Sequence, residues 1–215
     1  VQGLHLYLGN KNYSSWSLRP WIAMREKGIE FTEEVIPFDF GRGNPSFQTF
    51  SPSMKVPVLR HGDLTVWDSL AILEYVAELY PQKGFWPTEA KDRAMARAVS
   101  AEMHSGFAAL RAACPMNMRR TPAHKDIDED VRKDIARILN IWRQCLGQSG
   151  GPFLFGSFTI ADAMFAPVIS RFDVYQLTRD PMAAEYGAAV KATQAWQEWE
   201  AAAREEPWNV PESDE

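Results

Sequence analysis

The stretch KVPVLRHGDLTVWDS, Lys55–Ser69, decides how the first part of this chain folds. Val56, Val58 and Leu59 have the β-branched, apolar character of a buried strand, RHGD that of a tight turn, and LTVW that of the returning strand. A glycine in a short polar link between such runs supplies the unusual backbone angle of a hairpin turn. Pro57 is out of place at the head of the first strand, because it has no N–H to give to a ladder. A cis Val56–Pro57 bond removes the difficulty, since cis costs an X–Pro bond only about 0.5–1 kcal/mol and turns the chain sharply. Val56 then keeps its N–H and C=O out of the sheet, free to pair with an extended peptide laid alongside. Asp68 and Ser69 follow where a helix begins, and there free backbone N–H groups attract carboxylates while Asp68 attracts an ammonium. A ligand with an amino acid at one end and a peptide backbone in its middle fits this pattern, as does one carrying a thiol.

Working outward, Leu4, Leu6 and Leu8 recur at period two and predict a short strand. YSSWSLRPWIAMREKG reads as a helix with serines at its start and Gly28 as its stop. FTEEVIPF is a second strand, and Asp39–Ser53 is rich in Gly, Ser and Pro, predicting an irregular loop with a short helix. DSLAILEYVAELYP is a helix with Leu70, Leu73 and Val76–Ala77 on one face and Pro81 beyond its end. The order β-α-β-loop-β-β-α puts parallel strands and an antiparallel hairpin into one small sheet.

After PQKGFWP the pattern is helical only. Met95, Val99, Met103, Phe107 and Leu110 step by three and four, as do Ile127, Val131, Ile135, Ile138, Leu139, Trp142 and Leu146. FTIADAMFAPVISRF and the stretch from Tyr186 to Trp199 supply further helices, and Thr159 with Asp162 resembles a capping box. The boundary between the two parts falls near Gln82–Pro87, giving domains over residues 1–81 and 88–215.

At 215 residues and 46% hydrophobic, the chain can bury a substantial core. Asp and Glu outnumber Lys and Arg by 28 to 23, which argues against a nucleic-acid partner. No apolar run approaches the roughly 18–20 residues of a membrane span. The opening VQGLHLYLG has no charged segment or cleavage pattern, so a cytoplasmic location is expected. Cys114 and Cys145 lack metal-ligand spacing, and the histidines His5, His61, His104 and His124 are scattered, so no metal site is expected.

VP before a hairpin and DS opening a helix, after a β-α-β start and before an all-helical remainder, resemble the cytosolic glutathione S-transferases over essentially the whole chain. The resemblance implies a thioredoxin-like α/β domain that binds glutathione, followed by an all-α domain lining an electrophile pocket. SSWSLRPWIAM looks most like the zeta class, whose signature is a serine pair, Cys, Ser, an aromatic and Arg. Ser14, Ser15, Ser17 and Arg19 keep that pattern, while Trp16 stands in place of the cysteine and Leu18 in place of the aromatic. By this resemblance Val56, after which Pro57 turns the chain, holds the cysteinyl part of glutathione, and Asp68 and Ser69 hold the γ-glutamyl ammonium and carboxylate. Lys55, ahead of Arg42, meets the glycyl carboxylate. Met103, Phe107 and Arg111 lie near where the family places the electrophile. His104, beside them, reads as a partly exposed helix residue.

Only a thiolate attacks, and a free thiol with pKa near 8.5 is mostly protonated at neutral pH. A hydroxyl donating to the charged sulfur is worth about 1.5–3 kcal/mol, which lowers the thiol pKa by roughly one to two units. The zeta pattern points to Ser14 as that donor, and counting back from Arg19 points to Ser15. Ser14 is narrowly preferred, with Tyr7 and Tyr13 as competing hydroxyls. The expected activity is addition of glutathione to a hydrophobic electrophile. Two alternatives stand beside it. One is a zeta-like maleylacetoacetate isomerase, for which Arg111, Arg119 and Arg120 offer basic groups. The other is a non-catalytic protein of the same fold. The resemblance implies a homodimer, with Phe47, Phe50 and Trp67 as candidate surface apolar groups. The run Met116–Arg120, MNMRR, has no assigned role.

Overall fold

The computed structural model describes residues 3–214. Strand β1 (Leu4–Leu8) leads through helix α1 (Ser15–Glu26) to strand β2 (Phe31–Val35). Two short 3-10 turns, Phe40–Arg42 and Pro45–Thr49, occupy the predicted irregular loop. Strands β3 (Val58–His61) and β4 (Leu64–Trp67) then precede helix α2 (Ser69–Leu79). The sheet order is β2-β1-β3-β4, with β1 and β2 parallel and the other pairs antiparallel. Leu4, Leu6 and Leu8 face inward, as their period of two requires.

The Val56–Pro57 bond is cis. The ladder starts at Val58, so Val56 stands outside it. The turn is tighter than RHGD suggested: Arg60 and His61 still pair with Thr65 and Leu64, leaving only Gly62 and Asp63 as the loop. Gly62 has φ +60°, the conformation such a two-residue loop demands. On α2 the buried face is Ser69, Ile72, Leu73 and Val76, so Ile72 replaces Leu70 and Ala77 at its centre.

The helical part comprises α3 (Ala90–Ser105), α4 (Ala108–Ala113), α5 (Glu129–Ser149), α6 (Ile160–Val174), α7 (Pro181–Lys191), α8 (Gln194–Glu205) and the short α9 (Pro211–Asp214). The apolar stepping through Phe107 and Leu110 does not continue α3. The chain breaks at Gly106, where an added Cβ would lie 2.8 Å from the Glu102 carbonyl, and Phe107 takes φ +58°. Helix α6 is the centre of the molecule, buried at every residue except Asp173. It packs on α1 and α3, and one contiguous core joins it to the sheet. Its capping box forms as read: Asp162 accepts from the backbone N–H of Thr159, and also from Leu154 N–H and the Tyr186 hydroxyl.

Phe47 and Phe50 are not surface groups. They pack with Val56 and Val58 in a second small cluster, where Phe50 stacks on Tyr7 at 4.4 Å, whereas Trp67 is 47% exposed. No described helix is long and apolar enough to cross a membrane.

The run MNMRR is a clasp for the end of the chain. Asn117 bonds to Asn12 and Asp214, and the Arg119 guanidinium reaches the carbonyls of Glu206 and Trp208, the Asn209 side chain and the Tyr13 hydroxyl. The Glu206 carboxylate in turn accepts from the backbone of Lys11 and Asn12. Arg119→Ala is expected to cost about 1–3 kcal/mol and to open the segment 206–214 to protease. Limited proteolysis followed by mass spectrometry reads this, and an uncut tail in the variant would count against the clasp.

Candidate functional site

The N-termini of α1 and α2 point into one trough beside the Val56–Pro57 turn, and two cavities share it. The first, of 430 Å³, is lined by Lys55, Val56, Pro57, Asp68, Ser69 and His104 among others. The second, of 250 Å³, is bordered by Ser14, Ser15 and the aromatic loop residues Phe38, Phe40 and Phe47. Trp16, Lys55 and Val56 border both.

Asp68 caps α2 with φ +74° and ψ 131°, outside the left-handed helical region where aspartate at positive φ is usually found. One carboxylate oxygen accepts from the N–H groups of Leu70 and Ala71, at 2.9 and 3.3 Å. The other meets Nε2 of His104 at 2.8 Å. Ser69 is buried and its hydroxyl has no hydrogen-bond partner among the described residues. The peptide groups of Val56 take no part in the ladder and have no backbone partner among the described residues. Lys55 is exposed, whereas Arg42 pairs with Asp39 and borders neither cavity.

The two serines differ. Ser14 is the N-cap of α1: its oxygen accepts from Ser17 N–H at 3.3 Å and its hydroxyl donates to Ser17 Oγ at 2.7 Å. Ser17 Oγ is held by Gly9 N–H at 3.0 Å, so Ser14 is locked into a local network. Ser15 lies one residue further, and no partner for its hydroxyl occurs among the described residues. Tyr13 is bound to Asp214 and Arg119, and Tyr7 borders neither cavity. Cys114 and Cys145 are buried and unpaired, and burial raises both thiols, Cys145 to about 11.

Of the residues expected near an electrophile, Met103 and Phe107 lie in the shared core and border neither cavity. Arg111 is half-buried, with its guanidinium 5.3 Å from the Trp16 ring. The residue that α3 delivers to the trough is His104, whose ring also meets Trp16 edge-on at 5.4 Å. Only its helical phase beside Met103 hinted at this in the sequence.

A thioredoxin-like sheet followed by an all-helical domain is the architecture of the glutathione S-transferase class. Family models agree: "Glutathione S-transferase, N-terminal domain" matches residues 13–79 and "Glutathione S-transferase, C-terminal domain" residues 89–202. The chain belongs to the glutathione S-transferase family. It is 26% identical to the rat maleylacetoacetate isomerase over 182 residues, 82% of this chain and 81% of that one. It is 34% identical to glutathione S-transferase 1 of Dianthus caryophyllus over 96 residues, 44% of this chain and 42% of that one. Among solved structures, a Burkholderia glutathione transferase homologue with bound glutathione superposes with a TM-score of 0.74 at 23% identity, covering 95% of this chain and all of that one. Glutathione transferase Omega 2S from Trametes versicolor gives 0.72 at 20% identity, covering 98% of each chain.

Proposed function

We propose that the protein binds glutathione along this trough, ionises its thiol with Ser15 and adds the thiolate to an electrophile. One observation carries the reading. The Ser15 hydroxyl, the Val56 peptide and the Ser69 hydroxyl all border the trough, and none has a hydrogen-bond partner among the described residues. Buried or half-buried polar groups are rarely left so, unless a ligand completes them. Ser69 and the N-terminus of α2 take the γ-glutamyl carboxylate, Asp68 its ammonium, Val56 the cysteinyl peptide, and Lys55 the glycyl carboxylate. The sulfur then lies at the N-terminus of α1, where the Ser15 hydroxyl and the helix end both favour negative charge. Ser14, occupied by Ser17, keeps the helix start in place.

Isomerisation is the second reading, favoured by the relation to the rat enzyme. There the thiolate adds to one carbon of a double bond, the resulting single bond rotates, and the thiolate leaves from the same carbon. A homodimer belongs to the same proposal, and sedimentation at micromolar concentration tests it.

Binding is measured by calorimetry. Wild-type protein is expected to bind glutathione, and Asp68→Asn to weaken it by about tenfold, because the ammonium loses its charged partner. Asn caps a helix about as well as Asp, so the melting temperature should move little. Unchanged affinity in that variant would remove Asp68 from the site.

A further inference from the structure

Helices α6 and α8 and the segment 118–122 enclose a further cavity of 450 Å³, and none of its lining residues borders the trough. Spacing builds two of its walls. Ser170, Asp173 and Val174 stand three and four apart on α6, and Trp196, Glu200 and Arg204 four apart on α8, so each set shares one helix face. The floor is apolar, made of Met118, Val174 and Trp196, which are all buried. Ser170 lies among them, 4% exposed, and its hydroxyl has no partner among the described residues. A serine inside a helix commonly returns its hydroxyl to the carbonyl four residues back, as Ser105 does to Ala101. Ser170 keeps its hydroxyl for the cavity.

The rim is charged. Arg119, Arg120, Lys191 and Arg204 face only two carboxylates there, in a chain whose Asp and Glu outnumber its Lys and Arg. Both carboxylates are occupied: Asp173 by Lys191, and Glu200 by Arg204 at 2.7 Å and by the Trp196 ring N–H at 3.2 Å. Among the described residues no carboxylate lies within 4 Å of Arg119 or Arg120. Arg119 spends its N–H groups on the segment 206–209 and Tyr13. Arg120 has only Nη1 engaged, on the Asp214 carbonyl at 3.2 Å, and its guanidinium lies 5.0 Å from the Tyr175 ring.

The cavity therefore holds an excess of two positive charges above an apolar floor. A phosphate monoester carries a charge of about −1.5 to −2 at neutral pH and accepts through three oxygens. It meets that excess, whereas a single carboxylate leaves about half of it unmatched. The planar fork of an arginine suits phosphate geometry, and a serine hydroxyl adds a donor. The apolar floor gives an ester with a flat hydrocarbon body an advantage over the inorganic ion.

We propose that this cavity binds a small phosphate monoester with an apolar body, held by Arg120, Lys191 and Ser170. The site is separate from the glutathione trough, and Arg119 lends it charge while staying with the tail.

Phenyl phosphate is the probe, with inorganic phosphate and uncharged phenol beside it, all at matched ionic strength. Calorimetry on the wild type is expected to show one site for phenyl phosphate. Inorganic phosphate should bind about tenfold more weakly for want of the apolar body, and phenol should give no signal. Arg120→Gln should weaken phenyl phosphate by at least about tenfold, and Lys191→Gln by less, because Asp173 already shares that ammonium. Glutathione affinity should be the same with and without the probe. If Arg120→Gln also loosens the tail, as proteolysis would show, Lys191→Gln still decides, since among the described residues its ammonium bonds only to Asp173. Binding left unchanged by both variants would overturn the proposal. Competition between phenyl phosphate and glutathione would overturn it too, by placing the ester in the trough. So would an equal rise in melting temperature with sodium chloride, which would reduce the effect to charge screening.

Discussion

Ser15→Ala is expected to raise the thiol pKa of bound glutathione by about one to two units, because a hydrogen bond to a charged sulfur is worth about 1.5–3 kcal/mol. The thiolate absorbance of the complex, titrated between pH 5 and pH 10 or so, reads this directly. Turnover near pH 6.5 should fall roughly ten- to a hundredfold and recover in part at about pH 9, where the thiol ionises unaided. Glutathione affinity should hardly move, since Val56, Asp68 and Ser69 still grip the peptide. Ser14→Ala should behave differently. Its hydroxyl is engaged with Ser17, so the variant loses a helix cap worth about 1 kcal/mol of stability. Its pH profile should keep the wild-type shape. A shifted profile in Ser14→Ala with a normal one in Ser15→Ala would reverse the assignment.

Asp162→Ala is expected to be the most damaging single change in the fold. The carboxylate is fully buried and accepts from Leu154 N–H, Thr159 N–H and the Tyr186 hydroxyl at 2.9–3.0 Å. Removing it strands three buried donors at about 1–3 kcal/mol each. The start of α6, on which α1 and α3 pack, loses its cap with it. Against a total stability of about 5–15 kcal/mol, most of the folded population could go. A urea midpoint within error of wild type would refute this.

The same carboxyl sets a pH signature. Burial raises its pKa from 3.8 to about 6, outweighing the donors that favour the charge. The folded state therefore binds its proton more tightly than the unfolded chain does. Stability from this group is present in full below the unfolded value near 4 and is lost as pH rises through about 6, a change on the order of 3 kcal/mol. Glu206, raised by burial, slopes the same way, so the measurement is the difference between wild type and Asp162→Asn. If that difference is flat between pH 4 and 6, Asp162 is ionised throughout.

Much of the scaffold was legible in short windows of sequence. The cis proline, the glycine of the hairpin, the stop at Gly28 and the box at Thr159 and Asp162 all rest on contacts within a few residues. Residue type and spacing determine such contacts almost unaided. The family resemblance rests on the same local signals, and for that reason it located the Val56 and Asp68 ends of the trough.

What only the tertiary structure decided depends on partners from distant parts of the chain. Ser14 and Ser15 are alike in sequence, and they part because Gly9, at the end of another element, holds Ser17 in place to occupy Ser14. His104 reads as an ordinary helix residue until α3 is packed and sets it against Asp68, 36 residues earlier. Phe47 and Phe50 look like surface apolar groups until Tyr7 and Val58 cover them. The break at Gly106 turns Met103 and Phe107 into core and leaves Arg111 to meet Trp16. MNMRR acquires its role only when the segment 206–214 returns to it. A window of sequence reports period and turn chemistry, but a side chain's burial, free hydrogen bonds and neighbouring charge are set by what packs across from it.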